Sequence, residues 1–481
     1  MQKPNLLFIL TDDQGYWAMG CAGNPEIRTP NLDRLARMGL RFENFFCASP
    51  VCSPARASIL TGRIPSQHGV QDFLRGGNSN LLGDGDRAIE YLHGQVAYTD
   101  LLAQAGYRCG LSGKWHLGYA EKPQKSFAYW NVHATGSGPY YHAPMIEHGQ
   151  LYKPDGYVTD LITDNALTFL ESYKGSAQPF CLNVHYTAPH APWGREHHPP
   201  ALYDDYFNHC AFHSVPDERM HHHHLAKEGA AGSLGFTPAS RRATLSGYFA
   251  AVTAMDANVG RLLDWLEENG LAEETLVIFT SDNGMNMGHH GIYGKGNGTF
   301  PPNMFDTSVK VPTIMARPGH IPSDQVIHSL HSHYDLMPTL LDYLGLENPV
   351  ADALPGRSFA PLLHGRPMEN SESVVVFDEY GPTRMIRTAT WKYVHRVPYG
   401  PHELYDLVND PEERRNLIRE KAHQATRQGL QAELESWFVR YADPQRDGAH
   451  EAVMGRGQLD VVGPAAQGRQ RFGDDVVYAT P

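Results

Sequence analysis

Short apolar segments alternate with amphipathic segments along most of this chain, and that alternation constrains the fold more than any other feature. Residues 6–10, Leu-Leu-Phe-Ile-Leu, predict a buried strand. Further strands are predicted at 107–111, 180–185 and 276–279, with helices at 30–38, 100–105 and 241–269, the second of which is capped by Thr99. Strands that alternate with helices indicate an α/β fold, a large mostly parallel sheet sandwiched by helices. Ligands bind such sheets beyond the carboxyl ends of the strands.

The pattern changes after about residue 370, where short strands follow one another without intervening helices. These strands are predicted at 374–377, 385–387 and 392–394, and a charged helix at 411–441. We therefore expect two units. Residues 1–370 form a large α/β domain, and residues 371–481 form a smaller C-terminal α+β subdomain with an antiparallel sheet, one helix and a Gly-rich tail.

The charge balance limits the partners. The formal net charge is −13, and no run of Lys or Arg is visible in the 481 residues, so we expect no nucleic-acid partner. A protein of this charge that handles an anion must concentrate its positive charge locally. The six cysteines form no CxxC pair and are expected to be mostly buried thiols, not a disulfide framework.

The N-terminal apolar run is too short for the apolar region of a signal peptide, and Asp12 and Asp13 follow it directly. No apolar run approaches the length that spans a bilayer, so no membrane partner is expected. The protein as given is expected to be cytoplasmic, or periplasmic if an export signal has been removed.

Two acidic clusters follow predicted strands. Asp12-Asp13 comes directly after the first strand, and Asp282-Asn283 after the strand at 276–279. Alone, each cluster is typical of a turn or a helix cap. Adjacent carboxylates raise each other's pKa, and a divalent cation relieves that conflict. Carboxylate and amide oxygens suit Ca²⁺ or Mg²⁺ better than zinc or copper, so the two clusters together predict such a site.

Cys52 is placed by the sequence at the start of a helix. Ser53 is a suitable N-cap, Pro54 suits the first helical position, and Gly62 ends the helix. The helix dipole favours negative charge at Cys52, and Arg56 follows one turn later. A structural cysteine is one interpretation. A thiolate nucleophile is another, because this position would lower the pKa of the thiol.

A lysine and a histidine follow a third predicted strand, in Gly113-Lys114-Trp115-His116. A lone Lys or His is more often structural than catalytic. Near Cys52 and a metal, however, Lys114 would hold an anion and His116 would carry a proton.

These motifs together resemble the type I sulfatases of the alkaline-phosphatase-like superfamily. The run from Cys52 to Arg63 is similar to the signature of that family, Cys-x-Pro-x-Arg with a Thr-Gly-Arg ending. The other motifs follow in the order of the family, and the resemblance covers the chain to about residue 420. These other motifs are Asp12-Asp13-Gln14, Lys114-Trp115-His116, Asp282-Asn283-Gly284, Glu403-Leu404-Tyr405-Asp406-Leu407 and Asp410-Pro411-Glu412-Glu413.

The resemblance implies hydrolysis of sulfate monoesters by a catalytic domain at residues 1–370. Cys52 would be oxidised to formylglycine (3-oxoalanine) by a formylglycine-generating enzyme. Calcium, or magnesium in its place, would be bound by Asp12, Asp13, Asp282, Asn283 and the modified residue 52.

The resemblance also implies roles for the basic residues. Arg56 would hold the formylglycine hydrate, and Lys114 would bridge the hydrate and the sulfate. His116 would be the base that breaks down the sulfated intermediate. His190 would contact the sulfate ester, with His185 as the nearby alternative. Lys295 would be the second lysine, and Lys310 is its competitor.

A sulfated carbohydrate is the first substrate expected and an aryl sulfate the second. The stretches 64–93 and 122–150 are predicted to form loops above the pocket, where aromatic side chains would either stack on the substrate or pack within a lid; the candidates are Tyr140, Tyr141, His142 and Trp193.

Phosphonate and phosphodiester hydrolases of the superfamily tend to carry a histidine beside the metal aspartate, where this chain has Asn283. A glycan- or anion-binding module without activity would require every motif to be vestigial. The run Met220-His221-His222-His223-His224 is expected to be a solvated loop, and the oligomeric state is left open.

Overall fold

The computed structural model describes residues 3–82, 87–224, 237–369, 371–378, 382–451, 453 and 455–473. The strands are β1 (Asn5–Thr11), β2 (Gly39–Phe46), β3 (Arg108–Lys114), β4 (Phe127–His133), β5 (Met145–Glu147), β6 (Gln150–Tyr152), β7 (Phe180–His185), β8 (Thr275–Ser281), β9 (Asn286–Met287), β10 (Tyr293–Gly294), β11 (Thr313–Ala316), β12 (Gln325–Ser332), β13 (Ser373–Asp378), β14 (Thr383–Thr388), β15 (Trp391–Arg396) and β16 (Glu403–Asp406). The helices are α1 (Pro30–Arg37), α2 (Cys52–Thr61), α3 (Pro65–His68), α4 (Tyr98–Gln104), α5 (Val158–Glu171), α6 (Pro200–His209), α7 (Pro238–Glu268), α8 (Asp306–Val309), α9 (Leu336–Tyr343), α10 (Ala360–Leu363) and α11 (Gln424–Tyr441).

A ten-stranded sheet forms the centre of the molecule, in the order β12-β2-β11-β8-β1-β7-β3-β4-β5-β6. The five consecutive strands from β8 to β4 are parallel to one another, and β11 is antiparallel to both of its neighbours. The predicted α/β fold with a large mostly parallel sheet is confirmed. Because β8, β1, β7 and β3 are parallel, their carboxyl ends meet at one edge of the sheet.

Both faces of this sheet are buried, which explains why β1 is apolar at every position from 6 to 10. Leu6, Phe8 and Leu10 pack into the core that includes side chains of α2, α4 and α9. Leu7 and Ile9 pack into the opposite core, with side chains of α1, α5 and α7. All five are completely buried. Burial of each such side chain stabilises the fold by about 1.5–3 kcal/mol.

A separate four-stranded antiparallel sheet, β13-β14-β15-β16, follows the large one, and α11 packs on it. The predicted small antiparallel sheet with one helix is therefore confirmed, although β16 was not predicted as a strand. The helix predicted at 411–441 begins only at Gln424. The carboxylate of Asp410 accepts hydrogen bonds from the backbone N–H groups of Arg414 and Arg415, which holds that segment in a turn.

Buried charges connect the two sheets. Asp306 of α8 accepts hydrogen bonds from Lys392 at 2.6 Å and from Arg387 at 3.2 Å, and both of these partners lie in the small sheet. Glu413 also pairs with Lys392. Burial opposes ionisation of Asp306, but Arg387, Lys392 and Lys310 outweigh that effect and hold its pKa well below the usual range.

Two predicted helix caps are wrong. Val51, not Ser53, is the N-cap of α2, so Cys52 is the first residue of this helix. The Ser53 hydroxyl instead accepts a hydrogen bond from the backbone of Leu74 at 3.1 Å. Ala97, not Thr99, is the N-cap of α4. Among the described helices, none combines the length and the apolar character needed to cross a bilayer.

Candidate active site

The two acidic clusters meet at the carboxyl edge of the large sheet. Strands β1 and β8 pair in parallel register to their last residues, so the residues that follow them emerge side by side. The backbone N–H of Asp13 donates to Asp282 Oδ1 at 3.3 Å, and the Asn283 amide donates to Asp13 Oδ1 at 2.8 Å. Asp13 adopts a left-handed backbone conformation, with φ of 63°. Such a conformation is uncommon outside glycine and is typical of residues that a functional site constrains.

The carboxylates of Asp12, Asp13 and Asp282 are all buried, and each offers an oxygen within 4.8 Å of the other two. Burial, together with the neighbouring Asp12, raises the pKa of Asp282 to about 7. Desolvation and the adjacent Asp12 carboxylate thus oppose ionisation of Asp282, although Arg56, Lys114 and Lys295 lower its pKa. Together with the Asn283 amide, they form a set of hard oxygen donors that suits Ca²⁺ or Mg²⁺.

Cys52 faces this cluster from the first turn of α2. Its Sγ lies 3.4 Å from Asp12 Oδ1 and accepts a hydrogen bond from Lys295 Nζ at 2.7 Å. Burial and the Asp12 carboxylate raise the pKa of the thiol to about 12. The prediction that the helix dipole lowers this pKa is wrong, because desolvation and the nearby carboxylates outweigh the dipole. An unmodified Cys52 is therefore protonated at neutral pH and a weak nucleophile.

Two lysines surround the thiol and each pairs with a carboxylate. Lys114 Nζ lies 2.5 Å from Asp12 Oδ2, and Lys295 Nζ lies 2.5 Å from Asp13 Oδ1. Lys114 is fully buried, and Lys295 is nearly so. Burial favours the neutral amine of Lys295, but the carboxylate of Asp13, with those of Asp12 and Asp282, outweighs it and holds its pKa well above the usual value. Lys295 therefore remains charged.

Arg56 supplies a third cation, one turn after Cys52. Its Nε donates to Asp282 Oδ2 at 2.9 Å, and its Nη1 donates to the carbonyl of Lys114 at 3.1 Å. The remaining guanidinium nitrogen, Nη2, is buried without a hydrogen-bond partner among the described residues. An unpaired charged donor is costly in a dry interior, so this N–H is available to an anion.

Two histidines, His116 and His190, lie beside this cluster of charged residues and line the cavity above it. His116 is buried, and its Nε2 lies 3.1 Å from the carbonyl of Leu74. Gly136 covers the ring so closely that a Cβ at this position would lie 2.1 Å from His116 Cε1. Burial, with the positive charges of Lys114 and Arg56, holds the pKa of His116 well below its usual value, so the ring is neutral and able to accept a proton. His190 is half-buried, with Nε2 3.6 Å from Asp13 Oδ2.

The structure separates the expected site residues from their competitors. His185 Nδ1 donates a hydrogen bond to the carbonyl of Lys114 at 3.1 Å, and His185 does not line the cavity. Lys310 lies 4.4 Å from the centre of the Tyr16 ring and 3.4 Å from Glu43 Oε1, also away from the cavity. Every residue that the resemblance assigned to the site is brought together, namely Asp12, Asp13, Cys52, Arg56, Lys114, His116, His190, Asp282, Asn283 and Lys295.

A cavity of about 290 Å³ opens above this cluster. Both predicted loops contribute to it, through Phe73 from the first and Gly136 and Ser137 from the second. Trp193 also lines it, whereas Tyr140 is buried against Tyr157 and its hydroxyl donates to the carbonyl of His190. Sequence reasoning missed several residues of the wall, which are Val51, Phe73, Met285, Tyr293 and Asn297. Val51 and Met285 directly flank motif residues in the chain, but an apolar residue beside a motif carries no signal of its own.

The histidine run lies elsewhere. His221, His222 and His223 line a second cavity of about 390 Å³, together with Arg396 and residues of the small sheet. The run lies outside helices and strands, as expected for a loop; His221, His223 and His224 are half-buried, whereas His222 is exposed.

The chain belongs to the sulfatase family, whose sequence model matches residues 4–346. It is thus a sulfuric ester hydrolase. A second model, described as the C-terminal part of N-sulphoglucosamine sulphohydrolase, matches residues 288–439.

Named relatives cover nearly the whole chain. Arylsulfatase A of Homo sapiens is 31% identical over 87% of this chain and 84% of its own. The N-acetylglucosamine-6-O-sulfatase of Bacteroides thetaiotaomicron is 28% identical over 95% and 90% of the two chains. A solved structure in complex with its substrate D-glucosamine-2-N,6-O-disulfate is 26% identical, has a TM-score of 0.78, and matches 93% of this chain and 100% of its own.

Proposed function

We propose that this protein hydrolyses sulfate monoesters of carbohydrates, with a nucleophile made from Cys52 by oxidation to formylglycine and with a bound calcium ion. The observation that carries the proposal is the position of Cys52. Its thiol is buried among Lys295, Lys114 and Asp12, at the floor of the cavity, yet its raised pKa leaves it a weak nucleophile. The position suits a reacting group, but the unmodified thiol does not suit the reaction.

Formylglycine would supply a hydrated aldehyde, one hydroxyl of which is a nucleophile towards sulfur. The Sγ atom of Cys52 marks the place of that oxygen. Lys295 Nζ, at 2.7 Å from Sγ, orients the group and stabilises negative charge on it. Arg56 offers its unpaired Nη2 within the same cluster. Sulfuryl transfer resembles phosphoryl transfer, in which positioning and cationic stabilisation account for most of the catalysis.

Asp12, Asp13, Asp282 and Asn283 would hold the calcium ion, with the modified residue 52 as a further ligand. Calcium would lower the pKa of a hydroxyl bound to it, as metals do for water. The three carboxylates balance the charges of Arg56, Lys114 and Lys295 one for one, so a divalent cation would make the loaded site net positive. A net positive site favours a sulfate ester over a neutral ester.

Proton transfer is divided between the two histidines. His116 is neutral and accepts a proton from residue 52 when sulfate is expelled. His190 lies at the open side of the site and donates a proton to the departing alcohol. Lys295 is a weaker proton donor, because Asp13 holds its pKa well above the usual value. The structure therefore favours His190 over Lys295 for this step.

The walls of the cavity support a carbohydrate leaving group. Phe73 and Trp193 offer apolar surfaces, and Ser137 and Asn297 offer hydrogen-bonding groups to hydroxyls. Among the relatives, one is named for ulvan and is 29% identical over 92% of this chain. An aryl sulfate, which needs only the apolar surfaces, is the second candidate, as the similarity to arylsulfatase A suggests.

A phosphonate or phosphodiester substrate is the alternative outside the sulfatases. The phosphonate monoester hydrolase of Agrobacterium radiobacter has the same fold, with a TM-score of 0.67 and 22% identity. Against this alternative stands Asn283, at the position where those enzymes tend to carry a histidine.

The proposal is tested by release of inorganic sulfate from a panel of sulfated mono- and disaccharides, run beside an aryl sulfate and an aryl phosphonate. The protein is co-expressed with a formylglycine-generating enzyme, and peptide mass spectrometry verifies the oxidation of residue 52. Cys52→Ala is the matched control. We expect sulfate release from a saccharide that the control lacks. Turnover of the phosphonate alone would overturn the proposal.

A further inference from the structure

The tail, defined here as residues 455–473, returns from α11 to the large sheet and pairs with the pocket loop, defined as residues 69–76. The backbone N–H of Gln458 donates to the carbonyl of Phe73 at 2.8 Å. The carbonyl of Gln458 in turn accepts hydrogen bonds from Arg75 and Gly76, both at 3.0 Å. The sequence had offered no structure for the tail.

The side chain of Gln458 extends this pairing. It is completely buried, its Oε1 accepts a hydrogen bond from the backbone of Gln71 at 2.8 Å, and its Nε2 donates to the carbonyl of Gly69 at 3.0 Å. A glutamine offers both an acceptor and a donor at the end of a long side chain, which this arrangement requires. The backbone N–H of Asp72 also donates to Oε1, at 3.4 Å, so the main chain and side chain of Gln458 together hold the pocket loop at six of its residues.

Two further contacts fasten the tail to the same loop. The backbone N–H of Gly457 donates to Asp72 Oδ2 at 2.9 Å. Gly457 has φ of 92°, and a Cβ there would lie 2.6 Å from the Cβ of Arg75, so the two chains approach as closely as glycine allows. Phe472 of the tail also packs in an apolar cluster with Val51, the residue before Cys52.

The pocket loop connects the tail to His116. The backbone N–H of Leu74 donates to the Ser53 hydroxyl at 3.1 Å, and its carbonyl lies 3.1 Å from His116 Nε2. A carbonyl only accepts hydrogen bonds, so Nε2 must carry the hydrogen of the neutral ring. The other nitrogen, Nδ1, is buried without a partner among the described residues and is the basic atom.

We propose that Gln458 is a positioning residue for the reaction. By holding the pocket loop, it keeps the Leu74 carbonyl on Nε2 of His116 and so presents Nδ1 as the base. Gln458 does not line the cavity, and it acts on His116 through the pocket loop and its Leu74 carbonyl. The proposal rests on the function proposed above, in which His116 accepts a proton.

The tautomer of His116 is measured directly in protein labelled with ¹⁵N-histidine, and the His116 signals are assigned by their loss in His116→Gln. Ring nitrogen shifts distinguish Nε2–H from Nδ1–H without any substrate or activity. We compare the wild type with Gln458→Met, which keeps the volume but removes the hydrogen bonds of the Gln458 side chain. Gln470→Ala, a change of an exposed glutamine in the same tail, is the matched control.

We expect the hydrogen on Nε2 in the wild type and in Gln470→Ala, and a mixture of the two tautomers in Gln458→Met. In the activity assay, Gln458→Met should lower kcat by roughly ten- to a hundredfold, since small misplacements of a catalytic group cost rate. KM should rise by no more than the roughly tenfold increase expected for loss of Phe73, because the same loop carries that residue while the sulfate-binding cations are untouched.

A hydrogen on Nδ1 in the wild type would overturn the proposal, and so would a folded Gln458→Met with the wild-type tautomer and kcat. If Gln458→Met does not fold, Asp72→Ala removes the contact with Gly457 and is judged by the same two measurements. If the wild type releases no sulfate, the proposed function fails, and the tautomer still decides whether Gln458 acts on His116.

Discussion

Lys295 Nζ lies 2.7 Å from the sulfur of Cys52, although 243 residues separate the two in the chain. The contact exists because the loop after β10 folds back over the carboxyl edge of the sheet, where α2 begins. Lys310, which directly precedes Val311-Pro312 in the chain, lies instead beside Glu43 and the ring of Tyr16. This difference leads to the first prediction.

Lys295→Met should lower kcat for sulfate release by about 10²–10³, the usual effect of removing one preorganised donor from a developing negative charge. Lys310→Met, the matched control, should change kcat by less than about threefold, since Lys310 does not line the cavity. Steady-state kinetics with the best saccharide sulfate measure both. A larger loss in Lys310→Met would reverse the assignment of the second lysine.

Calcium should stabilise the folded protein. A cation that binds only the folded state at a hundred times its dissociation constant adds about 2.7 kcal/mol to the free energy of unfolding. Removal of calcium with a chelator should therefore lower the melting temperature, and added calcium should restore it. Differential scanning calorimetry measures the shift without substrate.

A substitution at Asp282 tests where the calcium binds. Asp282→Asn should abolish the calcium-dependent shift, because Asp282 is one of the three converging carboxylates. Asp264→Asn, which changes an exposed carboxylate on α7, should respond to calcium as the wild type does. An equal shift in Asp282→Asn and the wild type would place the calcium elsewhere.

The buried carboxylate of Asp306 should make stability fall in acid. Its pKa in the folded state is held below the unfolded value of about 3.9. The stabilisation is therefore present above the unfolded pKa and is lost as the pH falls through and below it. Asp306→Asn should lower the free energy of unfolding at neutral pH by about 3–5 kcal/mol, because it leaves Arg387 and Lys392 without their shared partner.

Urea unfolding between pH 3 and pH 8 tests the role of Asp306. The free energy of unfolding should fall less steeply with pH in Asp306→Asn than in the wild type. Glu412→Gln is the control, because Glu412 is exposed and directly precedes Glu413 in the chain; it should leave the pH dependence of the free energy unchanged. If the free energy of unfolding falls with pH equally in Asp306→Asn and in the wild type, other groups control the acid sensitivity.

Phe73 should contribute to binding of the leaving group and not to the chemical step. Phe73→Leu replaces the flat ring with a smaller apolar side chain, so KM for the saccharide sulfate should rise about tenfold while kcat stays within about twofold. His142→Ala is the control, because the His142 side chain is exposed. A fall in kcat without a change in KM would mean that Phe73 supports the catalytic groups and does not bind substrate.

The sequence alone was sufficient for the α/β sheet and for the residues of the reacting cluster. The apolar pattern of β1 and β8 reflects burial on both faces of the sheet, which depends only on local composition. Polar residues that follow parallel strands must meet at one edge, so Asp12, Asp282 and Lys114 could be grouped before any coordinates. The start of α11 was missed because Asp410 holds the preceding turn by local hydrogen bonds that helical periodicity does not register.

Tertiary structure alone decided which of two similar residues joins the site and how each group is charged. The sequence favoured Lys295 by resemblance and kept Lys310 as a competitor, and the path of the chain brings Lys295 to Cys52. The thiol of Cys52 is protonated, against expectation, since its pKa depends on burial and on carboxylates from distant strands. Gln458 is connected to His116 through the pocket loop, which it holds at Gln71 and which carries the Leu74 carbonyl beside His116. Gln458 and Gln71 are far apart in the sequence. Hydrophobic periodicity is a local property, whereas desolvation, charge and hydrogen bonding at a site depend on groups that folding brings together.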